Sequence, residues 1–354
     1  MPKKRYYDIS NALATKAQYI LLLGQRANGK SYQCKQTVLK HAWKTGQKFI
    51  YLRRYQKDIK QNYVESYFND MPISNITEGE FTHVVAWQGF LYFATYDEKL
   101  QKMNRECEIG RYCSLNEAIR YKSQVFNDYA YIVYEEFITD ETYLVDEPNT
   151  LQQFVSTVAR HESITVLLVG NTISRVCPYF AEWCLDGVLK QKQGTIEIYH
   201  YHTKDGKVDI AVEYCATTNY KNKMFFGQSA KQIITGEWEV NQVPKLPKSI
   251  KHYELIYKLK IVYQNNFQFM MLLLNDPDDG GFITFIYPYT GTRKVKRIIT
   301  DKFSSDPFIS NSLMPKRFFA ESIIQDCLRY EKVCYSDNLT GSDFKQIQAN
   351  FKLV

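Results

Sequence analysis

Residues 24–31 read GQRANGKS, and no other stretch of the chain constrains its fold as tightly. The pattern GxxxxGK[ST] is met by Gly24, Gly29, Lys30 and Ser31. Glycines at those two places let successive backbone N–H groups curl around phosphate oxygens, and a following helix adds the positive end of its dipole. The lysine is then expected to reach the β- and γ-phosphates, and the serine hydroxyl to bind Mg²⁺. An octet can match by chance, so its flanks matter. Tyr19 to Leu23 (YILLL) is a short apolar run of the kind buried on both faces of a parallel sheet. Downstream, residues 31–44 put Val38, Leu39, Ala42 and Trp43 on one helical face, closed by Gly46. Strand, loop and helix in that order predict an ATP site held by Gly24, Gln25, Arg26, Ala27, Asn28, Gly29, Lys30 and Ser31.

The rest of such a site must come from neighbouring strands. A second strand is expected at 48–52, followed by the basic pair Arg53 and Arg54, and a β-hairpin at 81–85 and 90–94 around Gln88-Gly89. Two further core strands read AYIVY at 130–134, ending in Glu135 and Glu136, and ITVLLV at 164–169, ending in Gly170 and Asn171. Between them Leu151, Phe154, Val155 and Val158 fall at helical spacing, which predicts an amphipathic helix over 149–161. Strands alternating with helices imply an α/β fold whose parallel sheet binds ligand at its carboxyl edge. Glu135 is then the candidate for the Mg²⁺ shell and Glu136 the candidate base for the attacking water. Adjacent carboxylates on a strand point to opposite faces, so the strand end must turn for both to work. Aspartate is the usual residue at the first place, and Glu135 departs from it. Asn171 suits a sensor of the γ-phosphate or the lytic water, and reads also as an ordinary turn asparagine. Arg160, at the end of the predicted helix, is placed either to complete a neighbour's site or simply to complement the helix dipole.

A chain of 354 residues has room for two modest domains, at roughly 100–200 residues each. We divide it into a nucleotide domain at 1–205, a linker region at 206–247 that runs into VPKLPKS at 243–249, and a C-terminal domain at 248–354, with hairpin-like aromatic segments at 196–202 and 208–214. The last shows apolar strand-like segments at 267–274 and 282–287 around NDPDDGG and a helical stretch at 315–333, an α+β pattern. No run approaches the ~18 apolar residues of a membrane span, and MPKKRYYDIS lacks the apolar segment of a signal peptide. Eight cysteines without a CxxC pair suit reduced thiols in a cytosolic protein. The net charge of +7 is compatible with a polyanion partner, but neither domain is a basic tail. Lys57 and Lys60, or Lys99, Lys102 and Arg105, could touch phosphates from loops, and equally could form solvated faces.

Taken together, GQRANGKS, FIYLRRY at 49–55, YIVYEEF at 131–137 and GNTISRVCPYF at 170–180 resemble the DNA-packaging ATPase of phi29-type tailed phages. The likeness runs over roughly residues 17–185 and keeps the family's order and spacing. It implies a P-loop fold of the additional-strand, catalytic-glutamate branch, related to large terminases. It further implies a homopentameric ring in the host cytoplasm, docked on the portal of a prohead, with or without an RNA scaffold, moving double-stranded DNA with ATP and Mg²⁺. By position, Glu135 becomes the Mg²⁺ acid, Glu136 the catalytic glutamate, Arg160 a trans-acting arginine and Lys122, in RYKSQ, a second trans-acting cation. The C-terminal domain becomes RNase H-like and without nuclease activity. Its acids are Asp276, Asp278 and Asp279, crowded in one turn and read as solvated there, with Glu321 and Asp326. Competing readings are a large terminase with a working nuclease, a P-loop phosphotransferase or kinase unrelated to DNA, and a scaffold that binds ATP without turnover.

Overall fold

The run Tyr19–Leu23 forms strand β1, buried from Ile20 onward, as a strand covered on both faces must be. In the computed structural model, which describes residues 6–160, 163–204, 206–216, 235–264, 266–291 and 295–350, the chain divides into two units. One comprises Met1–Thr139, Leu144–Thr172 and Gly187–Glu237; the other comprises Asp140–Tyr143, Ile173–Asp186 and Trp238–Val354. No helix among the described residues is long and apolar enough to cross a membrane.

In the first unit, helix α1 (Ser10–Ala14) precedes β1, and the P-loop leads into α2 (Lys30–Thr45). The chain continues through β2 (Lys48–Arg53), α3 (Gln61–Phe68), α4 (Ile73–Ile76), β3 (His83–Trp87), β4 (Phe90–Asp97) and β5 (Lys102–Ser114). It then forms α5 (Ala118–Tyr121), β6 (Tyr129–Glu135), α6 (Glu147–Ala159) and β7 (Thr165–Val169). A final hairpin joins β8 (Thr195–Thr203) and β9 (Gly206–Tyr214), before the second unit's strands. The sheet runs β3-β4-β5-β2-β6-β7-β1-β9-β8. From β5 to β9 every neighbouring pair is parallel, and the hairpins at the two edges are antiparallel. Helix α2 buries Cys34, Val38, Leu39 and Ala42 in a core shared with Leu22, Phe49, Phe68 and Phe93. Gly46 ends it in the left-handed conformation, φ +75°, its N–H bonded to Ala42 O at 2.9 Å.

Register is what positions the site. Leu22 stands opposite Val169, and Val169 opposite Glu135. The P-loop, Glu135 with Glu136, and Gly170 with Asn171 therefore leave the sheet at the same carboxyl edge, where ligands of parallel α/β sheets bind.

Two expectations fail here. The linker reading of 206–247 begins inside the sheet. Residues 206–214 are β9, hydrogen-bonded in parallel to β1 and buried from Ile210 to Tyr214. The hairpin expected from 196–202 and 208–214 is present, but its second arm also pairs with β1, which local composition could not reveal. The basic segment at 99–105 is not a free loop either, because Lys102 and Arg105 lie on β5, the long partner of β4. Arg105 stacks its guanidinium 4.1 Å from the Trp87 ring centroid.

The second unit carries α7 (Pro178–Glu182), strands β10 (Glu254–Tyr263), β11 (Phe267–Asn275), β12 (Phe282–Pro288), β13 (Ile298–Thr300) and β14 (Ile309–Ser310), α8 (Phe319–Arg329), β15 (Val333–Tyr335) and α9 (Asn338–Asn350). Its sheet runs β14-β13-β10-β11-β12-β15. The strands β10, β11 and β12 form an antiparallel meander, while β13, β14 and β15 add in parallel. The helix expected at 315–333 is shorter, and β15 and α9 follow it. CPYF, at 177–180, belongs to this unit.

Candidate nucleotide site

The loop between β1 and α2 needs backbone that side chains resist: φ is +139° at Gly24, +58° at Ala27 and +103° at Gly29. A Cβ on Gly24 would come within 3.3 Å of Cys215 O, on the chain leaving β9. Lys30, 3% exposed, folds back over the loop. Its Nζ donates to Gln25 O at 2.7 Å, Gly24 O at 3.2 Å, Asn28 Oδ1 at 3.2 Å and Asn171 Oδ1 at 3.4 Å. Burial pulls this ammonium down to about 8. The amide nitrogen of Asn28 is buried, with no hydrogen-bond partner among the described residues.

Ser31 and Glu135 meet across the site, hydroxyl to Oε2 at 3.0 Å. The other carboxylate oxygen accepts from the Tyr67 hydroxyl at 2.6 Å. Burial pushes the Glu135 carboxyl up, opposed by those two hydrogen bonds. Tyr67 is itself fixed: its ring stacks on Tyr51 with centroids 4.4 Å apart, and its carbonyl accepts from Lys35 Nζ at 2.6 Å. Lys35 is also paired with Asp70.

Glu136 resolves the problem of adjacent carboxylates. Its φ is +57°, so the chain turns sharply at the strand end, and Phe137 N–H returns to Val169 O at 3.3 Å. The turn presses Phe137 onto Gly170, where an added Cβ would lie 2.8 Å from the ring. The Glu136 side chain, largely exposed, accepts from Arg53 Nη2 at 2.5 Å. Residues from Ala27 to Ser31, with Lys35, Asp70, Glu135, Glu136 and Asn171, line one cavity of 280 Å³. Of the expected loop residues, Gly24, Gln25 and Arg26 are not part of its lining.

Arg160 and Lys122 are elsewhere. Arg160 caps α6 with φ +32° and donates to Gln124 O at 2.9 Å. Lys122 Nζ donates to Gln153 Oε1 at 3.3 Å, on the same helix. Both side chains lie on the surface, outside the cavity around Lys30. The sequence reading missed Tyr67, Lys35 and Asp70. Lys35 alone left a trace, as a lysine on the buried face of a helix.

In the second unit, Asp276 is not a solvated turn residue. It is 7% exposed and paired with Lys248 at 3.3 Å and His252 at 3.1 Å. Asp278 shares both partners, at 2.5 and 3.4 Å. Glu321, fully buried, is held by Arg297 at 2.6 and 3.0 Å, and Asp326 lies 3.4 Å from Arg329.

A family model described as podovirus DNA encapsidation protein (Gp16) matches residues 1–201. The DNA packaging protein of Bacillus phage phi29 is 29% identical over 185 residues, covering 51% of this chain and 50% of that protein. That of Bacillus phage B103 is 29% identical over 163 residues, or 45% and 46% of the two chains. The chain thus spans about half the length of the curated relatives it matches. Among solved structures, the Phi-28 gp11 DNA packaging motor covers 99% of this chain and 98% of its own, with 16% identity and a TM-score of 0.52. The chain of the bacteriophage Phi-29 genome packaging motor assembly covers 94% and 95%, with 19% identity and a TM-score of 0.53. At these identities the likeness to solved structures is one of fold.

Proposed function

We propose that this chain, which belongs to the podovirus DNA encapsidation protein (Gp16) family, is an ATPase that drives double-stranded DNA into a viral capsid through its portal. The observation that carries the reading is the convergence of Lys30, Ser31, Glu135, Glu136 and Asn171 on one cavity at the carboxyl edge of a parallel sheet. The order β6-β7-β1 puts one strand between the P-loop strand and the acid strand, which supports the additional-strand, catalytic-glutamate reading. Loop N–H groups and the Lys30 ammonium bind the phosphates, the lysine trading its carbonyl partners for phosphate oxygens. The unpartnered Asn28 amide is a further donor suited to an anion. Ser31 and Glu135, an all-oxygen pair 3.0 Å apart, fit Mg²⁺, which would neutralise charge on the phosphates. Glu136 takes a proton from the attacking water, and Asn171 orients that water or the γ-phosphate.

Arg160 and Lys122 lie outside their own subunit's cavity, which supports a role in a neighbour's site and hence an oligomeric ring, read as a pentamer. The ring acts at the prohead in the host cytoplasm. In the second unit, the order β14-β13-β10-β11-β12 with its antiparallel meander supports an RNase H-like domain. Asp276 and Asp278 share the Lys248 ammonium and Glu321 is held by Arg297, and this charge pairing favours a domain without nuclease activity.

The test is ATP hydrolysis with and without double-stranded DNA. DNA should stimulate turnover, and Glu136→Gln should lower it by roughly 10²- to 10⁴-fold while ATP still binds. Turnover indifferent to DNA would leave a P-loop phosphotransferase as the better account, and plasmid cleavage with Mn²⁺ would restore the terminase reading.

A further inference from the structure

Behind the Glu136 turn lies a buried charge pair that the nucleotide chemistry does not use. Arg54 is 6% exposed and Glu147 fully buried. Arg54 Nε donates to Glu147 Oε2 at 2.8 Å, and Nη2 to Oε1 at 3.1 Å. The same guanidinium also holds backbone: Nη1 donates to Glu136 O at 3.1 Å and Nη2 to Phe137 O at 2.7 Å. Glu147 in turn accepts from the Tyr134 hydroxyl at 2.8 Å and from Leu144 N–H at 2.9 Å. A buried ion pair is a weak stabiliser, since the loss of hydration offsets the attraction. This one gathers the carbonyl of the turn residue Glu136 and that of Phe137 after it, at a turn that a non-glycine residue adopts reluctantly.

Its other end matters equally. Glu147 is the first residue of α6, the helix whose Gln153 receives Lys122 and whose C-cap is Arg160. We propose that Arg54 and Glu147 are positioning residues that hold the Glu136 turn in its left-handed conformation and tie it to α6. The base of one site and the helix presenting Arg160 are thereby oriented as one piece. The inference rests on the reading of Glu136 as the catalytic base.

The experiment uses the full chain, with ATP turnover measured alongside binding of a fluorescent ATP analogue and thermal unfolding. Arg54→Lys keeps the charge opposite Glu147 but cannot fork to two carbonyls. It should lower kcat by about 10- to 100-fold and leave affinity for the analogue within about twofold. Adding Glu136→Gln to Arg54→Lys should then cost far less than it does in the wild type, because the base is already misplaced. The neutral pair Arg54→Met with Glu147→Leu fills the same space without charge, and should show the same loss of kcat in a folded protein. Wild-type kcat in the neutral pair overturns the proposal. So does a full, multiplicative cost of Glu136→Gln in the Arg54→Lys background, which marks a merely structural role. A wild-type protein indifferent to Glu136→Gln overturns the assignment of the base, and this inference with it, and is distinguishable from both.

Discussion

The one extra methylene of Glu135 over an aspartate lets a single carboxylate meet two elements, Ser31 at the start of α2 and Tyr67 on α3. The departure from the usual residue is thus matched by a tyrosine placed to receive it, and Tyr67 lies 68 residues away in sequence. Lys30 supports a prediction at the same scale. Burial holds its ammonium at about 8 rather than 10.5, while phosphate oxygens would favour the charged form. ATP binding should therefore take up a proton between those values, and affinity should fall as pH rises above about 8, by up to about tenfold per unit. Analogue binding across this range checks it, and Lys30→Met should lose both affinity and slope. For the free protein the sign is opposite. Between about 8 and 10.5 the unfolded chain holds this proton more tightly than the folded one, so the lysine's contribution to stability rises with pH.

Elements set by short-range signals were legible. Gln88-Gly89, with φ +49° and +89°, forms the hairpin turn joining Trp87 to Phe90. The helix around Leu151, Phe154, Val155 and Val158 lies at Glu147–Ala159. By contrast β5 was missed, and β9, read correctly as one arm of a hairpin with 196–202, was assigned to the linker and not to the sheet. The first half of β5 is mostly exposed and polar, without a clean alternation. The burial of β9 comes from pairing with β1, not from its own pattern. Glycine shows the same divide. Gly46 and Gly236 are both left-handed, at φ +75° and +71°, but only Gly236 is crowded. A Cβ there would lie 2.7 Å from Gln25 N in the P-loop, whereas nothing lies within 4 Å at Gly46. Gly46→Ala should cost about 1 kcal/mol and leave ATP affinity intact. Gly236→Ala should cost about 2–3 kcal/mol and weaken ATP binding as well. Denaturant titrations and analogue binding on both variants decide this.

At the scale of the whole molecule, the division of labour between Lys30 and Arg160 yields an assembly prediction. Lys30 is buried in the wall of the nucleotide cavity and Arg160 is exposed outside it, so in the proposed ring one subunit would supply the lysine and its neighbour the arginine. Arg160→Ala and Lys30→Ala proteins, each inactive alone, should regain part of their ATP turnover when mixed in an assembled oligomer. No recovery, in oligomers shown to contain both variants, would reduce Arg160 to a helix cap bonded to Gln124.

By itself the sequence determined the glycine-bearing loop at 24–31, the strand before it, the helix after it and the acid pair at a strand end, because spacing and hydrophobic period act over a few residues. Only the tertiary structure decided that Glu136 turns left-handed beneath Arg54, that Tyr67 reaches Glu135, and that residues 206–214 join the first unit's sheet beside β1. These contacts join segments from 68 to 191 residues apart. Their energies depend on burial and register, which no local pattern encodes.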